Sequence, residues 1–133
     1  MGKTLIKIAV VYFAIGVLLG MTMGIIHDFR LTSLHAHVNL LGWVSTAIFG
    51  VIYSIYPFVA TTKLAKAHFW LHNLGLPVMM IGLFCESFGI SAGLPVMIVG
   101  SLAVVIGTLL FAINTIKTLN NSSIQKAKQD FNA

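Results

Sequence analysis

Four apolar runs, each of about twenty residues or more, constrain this chain more than anything else in it. The hydrocarbon core of a bilayer is about 30 Å thick, and a helix rising ~1.5 Å per residue needs about 20 apolar residues to cross it. The runs fall at about residues 4–26, 34–57, 67–87 and 94–117. Between them lie the polar break HDFRLTS, a short basic turn at residues 61–66, and SFGISAGLP, whose Gly89, Gly93 and Pro95 weaken a helix. Of 133 residues 58% are hydrophobic and 8% charged, a balance no water-soluble domain of this length needs. The expected fold is all-α: a polytopic membrane protein, one four-helix transmembrane domain over residues 1–133 with a polar tail at 118–133.

The basic residues mark topology rather than a nucleic-acid surface, despite the net charge of +5. Lys3, Lys7, Lys63, Lys66, Lys117, Lys126 and Lys128 lie at the N-terminus, the second turn or the tail. Arg30 stands alone in the first loop, beside Asp28, and the third loop has no basic residue. The positive-inside rule then predicts both termini in the cytoplasm and the first and third loops outside. The expected location is the inner or plasma membrane of a prokaryote. The first run is too long for a signal-peptide core and lacks a small-x-small cleavage site, so it reads as a retained helix. The single cysteine, Cys85, excludes an intrachain disulfide, and without CxxC or CxxCH neither thiolate zinc nor covalent haem is supported.

Ionisable groups at membrane depth point to function. The segment LHAHVNLLGW sets His35 and His37 at the mouth of the second run, with Asn39 inside it. Residues two apart on a helix point about 200° apart, so one ion is poorly chelated by both. An HxH helix instead offers one imidazole to each of two flanks. Haem suits this: it is flat, apolar and asks each helix for one axial imidazole. Zinc or copper needs three or four converging ligands, for which His27, His35, His37, Asp28 and Glu86 form the rival set near the outer boundary. The plainest alternative leaves the histidines at the polar interface, hydrogen-bonded to loop carbonyls.

The stretch RLTSLHAHVNLLGW resembles the second-helix histidine segment of subunit I of the haem-copper oxidase superfamily, especially the nitric oxide reductase and cbb3-like branches. HAH is also similar to the HxH of that subunit's tenth helix, where the two histidines serve two different haems. The close resemblance covers residues 30–57; elsewhere only hydropathy matches. It implies that the chain is like one four-helix arc of that subunit. His35 and His37 would then be haem b ligands, Arg30 a cation for a propionate, and Asn39 a group that fixes a ligand. The copper-site His-His pair is absent, and His37 is followed four residues later by Leu41 rather than tyrosine. One arc cannot enclose a haem, so the resemblance implies a homo-oligomer, with a trimer rebuilding a twelve-helix ring. The implied role is electron transfer or binding of a small gas such as NO or O2, with an unspecified redox partner. The rivals are a divalent-metal binding or transport protein, and a structural subunit of an oxidase complex.

The remaining polar groups read less sharply. His68 and His72, at i and i+4, can bind one metal but start the third helix, far from the HAH segment. His68 is expected in an interfacial belt with Lys66 and Trp70, and His72 as buried polar glue or a second cofactor contact. Glu86 is expected near the outer end of the third helix, as a proton carrier, a ligand's hydrogen-bond partner or a helix-end residue. Gly16, Gly20 and Gly24, and Gly93, Gly100 and Gly107, form small-residue stripes that let helices approach closely.

Overall fold

The computed structural model describes residues 1–131, with side chains described through residue 122. It is all-helical there, without strands. Four long helices follow the four apolar runs: α1 Gly2–Ile26, α2 Thr32–Ile55, α3 Lys63–Ser87 and α4 Gly93–Phe131. All four are long and apolar enough to cross a membrane. The third helix starts four residues earlier than the sequence suggests, because Thr62 caps it: its Oγ1 accepts from the Ala65 amide at 3.0 Å. The fourth does not stop at the polar tail, and its helical backbone continues through Phe131. A 3₁₀ turn, Val59–Thr61, lies between α2 and α3. His27 ends α1 in the left-handed conformation (φ 52°, ψ 35°), its amide bonded to the Met23 carbonyl.

Packing follows the glycines. A Cβ on Gly82 would land on the backbone of Met97, and one on Gly100 on the backbone of Met79. These positions hold α3 and α4 in backbone contact as an antiparallel pair. On the other side, α1 runs antiparallel to α2, with Gly2 beside Ser54 at one end and Gly20 beside His35 at the other. Gly24 meets nothing within 4 Å, so the first stripe is used at two of its three positions.

Two buried apolar clusters join the helix pairs. Leu5, Phe49, Tyr53, Val59, Ala65 and Phe111 pack at the end that carries the chain's N-terminus. Leu34, Val38, Leu76, Met79, Leu83 and Val104 pack toward the opposite end. The outward faces stay apolar, as with Val10, Val17 and Ile25 on α1 and Val99, Leu102 and Ile106 on α4. That pattern suits a helix whose solvent is hydrocarbon.

Candidate functional site

α2 opens with an ordinary α-helical stretch, Thr32–His37, and then widens into a π-helix over Val38–Ser45. A π turn shifts backbone pairing from i−4 to i−5 and is common at functional sites. Two hydroxyls follow that spacing: Ser45 Oγ donates to the Leu40 carbonyl at 2.8 Å and Thr46 Oγ1 to the Leu41 carbonyl at 2.9 Å. In a segment without water, such bonds satisfy carbonyls the altered ladder leaves short.

His35 and His37 sit at the head of this segment and leave it on different flanks. His35 is half-buried toward α1, where a Cβ on Gly20 would lie 2.8 Å from its Cε1. Asn39 takes the next step down, against Gly16. Its Nδ2 donates to the His35 carbonyl at 2.9 Å and lies 3.4 Å from His35 Nδ1. The carbonyl fixes which end of the amide faces the ring, so Nδ1 accepts and the neutral His35 carries its proton on Nε2.

His37 faces the other way, into a groove of about 420 Å³ between α2, α3 and α4. Leu41, Met79, Val104 and Leu109 make its apolar wall, with Ser101 and Thr108 as the polar exceptions. His37 Nδ1 lies 2.7 Å from the Ser33 carbonyl. A carbonyl only accepts, so Nδ1 carries the proton and Nε2 of the neutral ring keeps its lone pair. An imidazole anchored through one nitrogen and bare at the other is the arrangement metal-ligating histidines use. A second groove of about 410 Å³, between α1, α2 and α3, is almost wholly apolar and holds no ligating histidine.

The other residues singled out by sequence do not converge on this groove. Arg30 is engaged in the exposed first loop, its Nε 2.9 Å from Asp28 Oδ2 and its guanidinium 4.7 Å from the centroid of Phe88. Hydrogen bonds from Arg30 hold the Asp28 carboxyl down, to about 2 from its ordinary 3.8. His27 and Glu86 are exposed. Among the described residues no three of His, Cys, Asp and Glu come together as a metal site.

His68 departs from its expected place. It is not in an interfacial belt but fully buried at 0% exposure, with His72 at 1%. Tyr53 Oη lies 2.9 Å from His68 Nδ1, and Thr46 Oγ1 lies 2.9 Å from His72 Nε2. Phe49 and Phe111 pack against the imidazoles, with Phe49 edge-on to both. Close by, Asn114 donates from Nδ2 to the Val59 carbonyl at 3.0 Å and accepts from Thr62 Oγ1 at 2.7 Å, tying the turn before α3 to α4. The i, i+4 histidine spacing was visible in sequence. The histidines' partners Tyr53 and Thr46 carried no periodic signal, because they arrive from another helix.

No protein-family model, no curated protein and no solved structure matches this chain, and the site is therefore read from its own residues.

Proposed function

We propose that this chain is a haem b-binding membrane protein related to haem-copper oxidase subunit I, with His37 as the leading axial ligand. The observation that carries the reading is the His37 imidazole: its Nδ1 proton is given to the Ser33 carbonyl, which leaves the Nε2 lone pair unengaged on a residue that lines an apolar groove. The groove's volume lies within the ~300–1,000 Å³ typical of small-molecule sites, and its walls suit a flat apolar macrocycle. His35 is the second candidate ligand, on the α1 flank, where Asn39 has first to release its Nδ1. Asn39 positions that ring, and Arg30 is a cation on the same side of the membrane. A bound haem supplies electron transfer, or small-gas binding where its second axial position stays open.

The groove is partly open, so a second copy of the chain is proposed as its missing wall, in a homo-oligomer for which a trimer is favoured. The prokaryotic inner membrane, with both termini cytoplasmic, is part of the same reading, supported by the lysine distribution.

The test is the visible spectrum of detergent-purified protein from haem-replete cells, oxidised and dithionite-reduced, with a pyridine extract to count haem per chain. The expected result is a reduced b-type spectrum that His37→Ala abolishes. A colourless wild-type protein, or full haem occupancy in His37→Ala, overturns the proposal. The His35→Ala spectrum shows whether one or both flanks ligate.

A further inference from the structure

His68 and His72 stand one turn apart on the same face of α3. Their ring centroids are 5.7 Å apart with the planes at 44°. Each ring has one nitrogen engaged, by Tyr53 and by Thr46. The other two, His68 Nε2 and His72 Nδ1, are buried and have no hydrogen-bond partner. Buried polar atoms are ordinarily satisfied, and two bare nitrogens on adjacent rings call for a shared explanation.

The engaged sides fix the protons. The Thr46 hydroxyl has one proton, and it goes to the Leu41 carbonyl at 2.9 Å. Its oxygen therefore accepts from His72 Nε2–H, which leaves His72 Nδ1 as a lone pair. Tyr53 is 2% exposed, and its hydroxyl reaches His68 Nδ1. With Tyr53 donating, only the His68 Nε2–H is left over; with His68 donating, both the Tyr53 O–H and the His68 Nε2 lone pair are left over, so Tyr53 donates. His68 then carries its proton on Nε2. The two bare atoms are complementary: an N–H on His68 and a lone pair on His72. A bare cation is repelled by the N–H. A water molecule suits both, accepting from one ring and donating to the other.

We propose that His68 and His72 hold an ordered water between Nε2 of the first and Nδ1 of the second, and that Tyr53, His68, this water and His72 form a proton relay inside the membrane-spanning core. A proton reaching the Tyr53 oxygen releases the original hydroxyl proton to His68 Nδ1. The His68 Nε2 proton passes to the water, and a water proton passes to His72 Nδ1. Tyr53 and the water are restored, His68 ends in its other tautomer, and His72 ends as imidazolium. One proton has moved inward, with no redox step. The groups that face the pair are Tyr53, Thr46 and Phe49 from α2 and Phe111 from α4. The acids among residues with described side chains are Asp28, in the loop after α1, and Glu86, at the far end of α3, so no carboxylate neutralises a proton held here. The relay stands independently of the haem reading.

The test is ¹⁵N-histidine NMR of the full chain in lipid nanodiscs near neutral pH. Both residues are expected neutral with the proton on Nε2, and water protons are expected to give cross-peaks to both rings. Tyr53→Phe should lose the fixed His68 tautomer, in samples that keep native helicity. A His72 proton on Nδ1, a direct nitrogen–nitrogen coupling between the rings, or absent water cross-peaks overturns the water site. For the relay, exchange of the His68 ring proton, the one passed to the water, into D2O should slow in Tyr53→Phe and in His72→Gln. Unchanged exchange in both overturns it.

Discussion

Thr46→Val removes one buried hydroxyl and preserves the side chain's shape, so it isolates hydrogen bonding from packing. The hydroxyl donates to the Leu41 carbonyl and accepts from His72, both at 2.9 Å, in a residue with 0% exposure. Valine takes the Thr46 oxygen from the His72 N–H, which keeps only the Leu41 carbonyl as an acceptor, and leaves that carbonyl with one donor fewer. A buried unsatisfied group costs about 1–3 kcal/mol in water-soluble proteins. In a membrane the unfolded reference also finds partners, and measured interhelical hydrogen bonds average ~0.6 and reach ~1.7 kcal/mol. Complete burial places this site at the upper end, so the expected loss is about 1–2 kcal/mol. Thr46→Ser keeps both bonds and removes one methyl, for at most ~0.8 kcal/mol. Reversible SDS unfolding in mixed micelles, followed by circular dichroism, measures both variants. A Thr46→Val loss within ~0.5 kcal/mol of zero, the range of an ordinary surface change, refutes the reasoning. So does an equal loss in Thr46→Ser, which would point to packing.

Three further outcomes follow from the geometry. Gly82→Ala and Gly100→Ala each push a methyl into the backbone of the facing helix and should destabilise by about 1–3 kcal/mol or more, whereas Gly24→Ala, with open space around it, should be near neutral in the same unfolding assay. Gly16→Leu should drive Asn39 off its seat and release the His35 ring, read as a changed His35 ¹⁵N tautomer; an unchanged tautomer contradicts the fixing role of Asn39. The Asp28 carboxyl is depressed in the folded state, so the loop contact it makes is complete above its ordinary 3.8 and fades as pH falls toward about 2. Carboxyl NMR should show that midpoint rising toward 3.8 in Arg30→Gln, and no movement contradicts the pairing.

Several features were legible in the sequence because they depend on local chemistry. The spans follow from run length alone, since a bilayer asks only for enough consecutive apolar residues. His35 and His37 could be singled out because an imidazole is conspicuous among leucines and valines. The glycine stripes were visible too, but not their use: Gly16 and Gly20 admit Asn39 and His35, while Gly24 meets nothing. His68 was misplaced for a related reason. Its neighbours Lys66 and Trp70 look like a membrane-interface belt, and both are indeed exposed, yet the ring between them points inward to Tyr53.

The sequence by itself determined an all-helical chain with four helices able to span a membrane, the order of those helices, and two histidines at the head of the second. Only the tertiary structure decided which face of each helix is inside. A soluble helix declares its buried face by an amphipathic period, but a helix in hydrocarbon is apolar all round and declares little. Backbone contact through Gly82 and Gly100, the π turn that carries Thr46 to His72, and the carbonyl that fixes the His37 proton are relations between atoms set by packing and backbone geometry. They decide which imidazole is ready to bind, which is buried, and which nitrogen each leaves bare.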